Sequence, residues 1–99
     1  MFKLLMTWNI RPGRESEYFE FVVQEFVPSM TRLGIQMTEA WYTVYGNAPQ
    51  ILTGGTTEDR ATLEKILQGE EWKSLHEKLL THVSEFTFKI VPHTGHFQL

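Results

Sequence analysis

The stretch GEEWKSLHEKLLTHV, residues 69–83, sets Trp72 and His76 one helical turn apart among Leu75, Leu79, Leu80 and Val83. In a helix that spacing puts all of these side chains on one inward face. An imidazole titrates near neutral pH. His76 in a cavity would therefore suit a catalytic base that deprotonates a phenol before reaction with oxygen, or that shifts a proton in an isomerisation. The same pattern also describes a histidine packed into a core beside an aromatic neighbour, and spacing does not separate the two.

Trp8, Trp41 and Trp72 lie on three separate segments. With His76 they are the candidate lining of an aromatic pocket for a flat organic ligand, or else the material of an aromatic core. Gly54-Gly55 would leave room on both faces of a sheet for such a ligand, or for close packing of Trp41 and Tyr42. Asn9 and Thr7 are candidate hydrogen-bonding groups on the more polar side of the first strand.

Other chemistries are less well supplied. Arg60, in a first helical turn, calls for a carboxylate such as Glu58, Asp59 or Glu64, or for a substrate anion. His82 stands at a helix end, where a positive charge suits the dipole. His93 and His96 form H-x-x-H without a third or fourth ligand nearby, so no metal site is expected. No Ser-His-Asp order, phosphate loop or dinucleotide fingerprint is present. No cofactor is expected.

The elements that must position these residues belong to a chain of 99 residues, 41% hydrophobic, with nine basic and twelve acidic side chains and no cysteine. That length suits one small domain over 1–99 with a modest core, its tail beginning at about residue 93. Neither charge sign runs long enough to neutralise a nucleic-acid backbone. The lack of cysteine excludes disulfides, thiolate nucleophiles and thiolate metal sites. Trp8, Asn9, Arg11 and Pro12 interrupt the N-terminal apolar stretch before it reaches membrane length. A soluble, cytoplasmic protein is expected, without nucleic-acid or membrane partners.

Phe2, Leu4, Met6, Trp8 and Ile10 alternate with Lys3, Thr7, Asn9 and Arg11 as in a strand with one strongly apolar face. From Arg14, Phe19, Val22, Val23, Phe26, Met30 and Leu33 recur at helical spacing up to Gly34, with Pro28 predicting a kink or break near Phe26–Pro28. Residues 35–46 and QILTGGTT read as a hairpin turning at Asn47-Ala48-Pro49. Thr56 or Thr57 starts a second helical region, which Gly69 interrupts and which resumes to Val83. Phe86, Phe88 and Ile90 mark a last strand. The order is β-α-β-β-α-β, an α+β ferredoxin-like split βαβ with an antiparallel four-stranded sheet and helices on one face.

If Trp8, Trp41 and Phe88 face the helices, the opposite face still carries Leu5, Ala40, Tyr42, Val44, Leu52 and Val91. Such an apolar face predicts a homodimer packed sheet to sheet, with Leu5, Tyr42, Val44 and Val91 in the interface.

In this register, "RPG" before the first helix, "PSMTRLG" at its end, "WYTVYG", "TTEDRATLEKIL" and "EEW" together resemble the NIPSNAP family of the dimeric α/β-barrel superfamily, from about Arg11 to Val91. The resemblance implies a dimeric barrel with helices outside, a cavity between sheet and helices, and no assigned physiological role. Relatives in the superfamily include cofactor-independent monooxygenases, lactone isomerases and haem-degrading enzymes. "EWKSLH" is locally similar to the histidine stretch of the haem enzymes. Met6, however, stands where they place an asparagine, and Asn9 is displaced. The resemblance thus points to binding of a small apolar or aromatic molecule, with cofactor-free oxygenation or isomerisation as the reaction class, or alternatively to a non-catalytic, protein-interaction dimer.

Overall fold

Alternation of apolar and polar residues makes Phe2–Ile10 the first strand, β1, in the computed structural model, which describes residues 1–43 and 50–92. Val44, the Asn47-Ala48-Pro49 turn, His93 and His96 lie outside the described residues. Leu4, Met6, Trp8 and Ile10 are buried on one face of β1.

The chain is next helical from Glu15 to Leu33, as α1 (Glu15–Phe21), a π-helical turn (Val22–Phe26) and α2 (Val27–Leu33). The buried stripe accounts for the π-turn. Tyr18 to Phe21 is a three-residue step and Phe26 to Met30 a four-residue one, but Phe21 to Phe26 spans five. In an α-helix a five-residue step lands roughly 140° from where it began. The wider i→i+5 turn instead brings Phe26 back to the core. Pro28 follows immediately and has no N–H for the ladder. Of the kink or break expected near Phe26–Pro28, the break does not occur: Phe26 and Val27 keep right-handed helical backbone angles. The irregularity is taken up by the π-turn ahead of the proline. Gly34 stops the helix at φ 104°, a conformation that disfavours a Cβ.

Strands β2 (Gln36–Tyr42) and β3 (Ile51–Thr57) follow, then helices α3 (Arg60–Gln68) and α4 (Glu70–Leu80) and strand β4 (Val83–Pro92). The four strands pair antiparallel in the order β2-β3-β1-β4, which is the α+β ferredoxin-like topology. No helix among the described residues is long and apolar enough to cross a membrane. The N-cap of α3 is Asp59, not Thr56 or Thr57, and its carboxylate accepts from Thr62 N–H at 2.7 Å. Extended backbone at Gly69 separates α3 from α4. Val83, expected to end the helix, instead opens β4 opposite Ile10. A turn in which His82 N–H donates to the Leu79 carbonyl at 2.9 Å has already closed α4.

Two bulges decide which side chains share a face. Between Met37 and Glu39 the pairing of β2 with β3 shifts by one residue, so Ala40 opposes Thr53, Trp41 opposes Leu52 and Tyr42 opposes Ile51. Since Trp8 opposes Ile51 and Thr7 opposes Leu52 across β1, Tyr42 shares the helix-side face with Trp8, and Trp41 the open face with Thr7. This corrects the expected placement of Trp41, Tyr42 and Ala40. Alternation alone would have held, but a one-residue bulge inverts every side chain beyond it. The second bulge lies between Thr7 and Asn9, where Glu85 on β4 takes φ 54°. Asn9 pins it. Its Nδ2 donates to the Glu85 carboxylate at 2.8 Å, while its Oδ1 accepts from Gln50 N–H at 2.8 Å.

Leu5, Leu52 and Trp41 remain on the open face with Thr7, Thr87 and Val91. Lys3 and Glu39 form an ion pair there. On the covered face Trp8 is 1% exposed and meets Tyr18, Phe26 and Phe86.

The glycine pair serves packing within the chain. A Cβ on Gly55 would lie 2.5 Å from Ile35 Cγ2, and one on Gly54 3.1 Å from Glu39 Cγ. Since Ile35 is fully buried, Gly55→Ala must displace a core side chain. It should cost about 1–3 kcal/mol in urea unfolding. An unchanged midpoint would show that the core there yields freely.

Candidate functional site

A pocket of about 430 Å³ opens between the helix and the β2 half of the sheet. Its volume falls within the range of small-molecule sites, roughly 300–1,000 Å³. Tyr18 and Phe19 of α1, Val22 and Phe26 of the π-turn and Val27 of α2 form one wall. Met37 to Tyr42 of β2 form the other, and Trp8, Ile51 and Thr53 the floor. The π-turn shapes this wall, since the five-residue step from Phe21 to Phe26 is what carries Phe26 to the core, and Val22, four residues before it, borders the same opening. Ala40, small and opposite Thr53, leaves the space that a larger β2 residue would fill.

The polar inventory of the pocket is short. Trp8 Nε1 donates to Tyr18 Oη at 2.9 Å, and burial raises the Tyr18 pKa although this bond works the other way. The phenol is thus protonated throughout the physiological range. The Thr53 hydroxyl lies 3.5 Å from the Met6 carbonyl. Glu39 is the charged residue on the pocket's border. Apolar rings provide most of the remaining surface.

Of the residues singled out in the sequence, Trp8 and Trp41 border this pocket, Trp8 from the floor and Trp41, 62% exposed, from the edge strand. Trp72 and His76 do not. They stack on each other with ring centres 5.3 Å apart and planes 7° apart, and His76 meets Phe86 at 4.4 Å. Phe86 in turn stacks on Trp8 at 5.9 Å. A row of rings thus runs from His76 through Phe86 and Trp8 to the pocket, leaving His76 two rings behind its wall. His76 Nε2 is buried with no hydrogen-bond partner among the described residues. Burial lowers its pKa below 6.5, with nearby Glu77 partly opposing the shift.

The remaining candidates have structural partners. Arg60 Nε donates to Glu64 at 2.8 Å one turn along α3. The His82 ring packs on Phe21 at 5.0 Å, and the Thr7 and Thr87 hydroxyls meet at 2.6 Å on the open face. No group of three or more metal-ligating side chains occurs among the described residues. Sequence reasoning missed Tyr18 and the helical wall. The one signal for them was the five-residue step from Phe21 to Phe26.

Neither a protein-family model nor a curated protein matches the chain. Solved structures do match in fold. An uncharacterized NIPSNAP domain protein from Burkholderia xenovorans is similar at TM-score 0.71 and 14% identity, over 99% of this chain and 100% of that one. A hypothetical Arabidopsis thaliana protein in solution is similar at TM-score 0.74 and 9% identity, over 94% and 88%. An antibiotic biosynthesis monooxygenase candidate from Nitrosomonas europaea is similar at 0.67 and 8%, over 95% and 99%. The chain thus shares its ferredoxin-like fold with these proteins.

The lowered His76 pKa has a consequence for stability. Below its ordinary value near 6.5 the unfolded chain takes up a proton that the folded chain resists. The stability this group leaves intact above 6.5 is therefore lost as pH falls through that value towards the lower folded one. Urea unfolding at about pH 7.5 and about pH 5.5 should show a larger loss for the wild type than for His76→Leu. Equal losses would show that the imidazole is as free to charge in the fold as outside it.

Proposed function

We propose that this chain forms a homodimer that binds a small, mostly apolar organic molecule in the pocket between α1, the π-turn and β2. The observation that carries the reading is the pocket itself: about 430 Å³, walled by aromatic and aliphatic side chains, with a buried tyrosine hydroxyl among them. Sites of this make-up bind ligands through apolar contact and orient them with few polar groups. The fold shared with a monooxygenase candidate supports an organic molecule as the occupant. Among reactions, cofactor-free oxygenation or isomerisation suits the reading. His76, two rings from the pocket, then acts in packing, and any proton transfer falls to groups on the pocket wall.

The dimer rests on the open face of the sheet, where Leu5, Trp41, Leu52 and Val91 stand uncovered by any helix. Trp41 takes the interface position that alternation had assigned to Tyr42. A dimer without a ligand is the competing reading, and this face alone favours it.

One titration separates the two. The neutral fluorescent probe N-phenyl-1-naphthylamine should bind saturably, and Ala40→Trp, which fills the pocket from β2, should weaken binding at least about tenfold, or ~1.4 kcal/mol. Unsaturable binding, or binding untouched by Ala40→Trp, leaves the non-binding dimer. Light scattering at micromolar concentration should give twice the chain mass, and Trp41→Lys should halve it. A wild-type monomer would remove the dimer from the account.

A further inference from the structure

The pocket's tyrosine has hydrogen-bonding capacity that the chain does not use. Tyr18 Oη accepts from Trp8 Nε1 at 2.9 Å, and the hydroxyl proton meets no acceptor among the described residues. A hydroxyl donates and accepts at once, and accepting one bond strengthens the other. Trp8 and Tyr18 both line the pocket, so the unused donor lies where these two walls meet. Leaving such a group unpaired in an apolar site is costly, and a ligand oxygen would satisfy it.

The remaining walls narrow the choice of oxygen. Among the described residues no lysine or arginine lines the pocket, and the carboxylate on its border, Glu39, is already paired with Lys3, so an anionic carboxylate or phenolate would enter without compensation. The acceptor is therefore neutral. Because the rings of Trp8, Tyr18, Phe19 and Phe26 face the space from the floor and the helical wall, the body attached to that oxygen is flat and aromatic.

We infer that the molecule bound here is a neutral aromatic carbonyl compound, its ring held between the π-turn and β2 and its carbonyl oxygen accepting the Tyr18 hydroxyl proton. This rests on the reading that the pocket binds a small organic molecule. Trp8 is then a positioning residue, fixing the hydroxyl by its indole N–H. The raised Tyr18 pKa keeps the hydroxyl a donor at physiological pH.

Two probes of nearly equal shape test it: 2-acetylnaphthalene and 2-isopropenylnaphthalene, in which a methylene replaces the carbonyl oxygen. The wild type should bind the ketone about tenfold more tightly than the alkene, the scale of one buried neutral hydrogen bond. Tyr18→Phe should erase that preference while holding the alkene affinity within about twofold. Should Tyr18→Phe not fold, the infrared carbonyl stretch of the ketone bound to the wild type decides. It should lie lower than in hexane, as a hydrogen-bonded carbonyl does. Equal wild-type affinities, a preference that survives in Tyr18→Phe or an unshifted carbonyl stretch overturns the hydrogen bond and leaves the pocket standing. Binding of neither probe, with N-phenyl-1-naphthylamine also unbound, overturns the pocket reading and this inference with it.

Discussion

The rest of the molecule depends on where the indole of Trp8 lies. Its ring is sealed between strand and helix, edge-on to Tyr18 and Phe26 and stacked on Phe86, and its N–H is satisfied by the Tyr18 hydroxyl. Through these contacts one side chain ties β1 to α1, to the π-turn and to β4. A buried aromatic of this size contributes several kcal/mol by area alone, and its N–H must find an acceptor. The helix therefore has to present Tyr18 and Phe26 to the same ring. They are eight residues apart, and the intervening five-residue step from Phe21 requires the π-turn.

The pocket follows from the same constraint. The turn that carries Phe26 back to Trp8 also brings Val22 to the mouth, while the bulge in β2 turns Ala40 and Tyr42 towards the helix. Both walls thus arise from local departures from regular structure, which is where binding sites often lie. On the far side of Trp8, the His76 imidazole shares its layer with Trp72 and Phe86, and its buried Nε2 has no hydrogen-bond partner among the described residues. Burial makes the neutral ring the favoured form, so the residue with the most suggestive chemistry in the sequence sits in an aromatic layer behind the pocket.

What could be read from the sequence was whatever obeys a fixed period. Phe2, Leu4, Met6, Trp8 and Ile10 recur at every second position, and their face, their strand and the split βαβ order follow directly. Trp72 and His76 keep helical spacing, and they do share a face. The period failed where one residue was added. A bulge after Met37 leaves no mark on composition, yet it moves Trp41 to the open face and Tyr42 to the covered one. Pro28 was legible as a disturbance, but its resolution in the preceding turn was not, because that depends on Phe26 reaching a ring on another element. Val83 fits both a helical and a strand pattern, and its pairing with Ile10 decides for the strand. The candidate site was half legible for the same reason: Trp8 and Trp41 border the pocket, whereas Tyr18 could be recognised only from its partner across the core.

Intermolecular nuclear Overhauser effects from a bound aromatic probe to the isotope-labelled protein would locate the ligand. Contacts to Val22, Phe26 and Ala40 are the result predicted. Contacts instead to Trp72 and His76, or to Leu5 and Leu52 on the open face, would contradict the account.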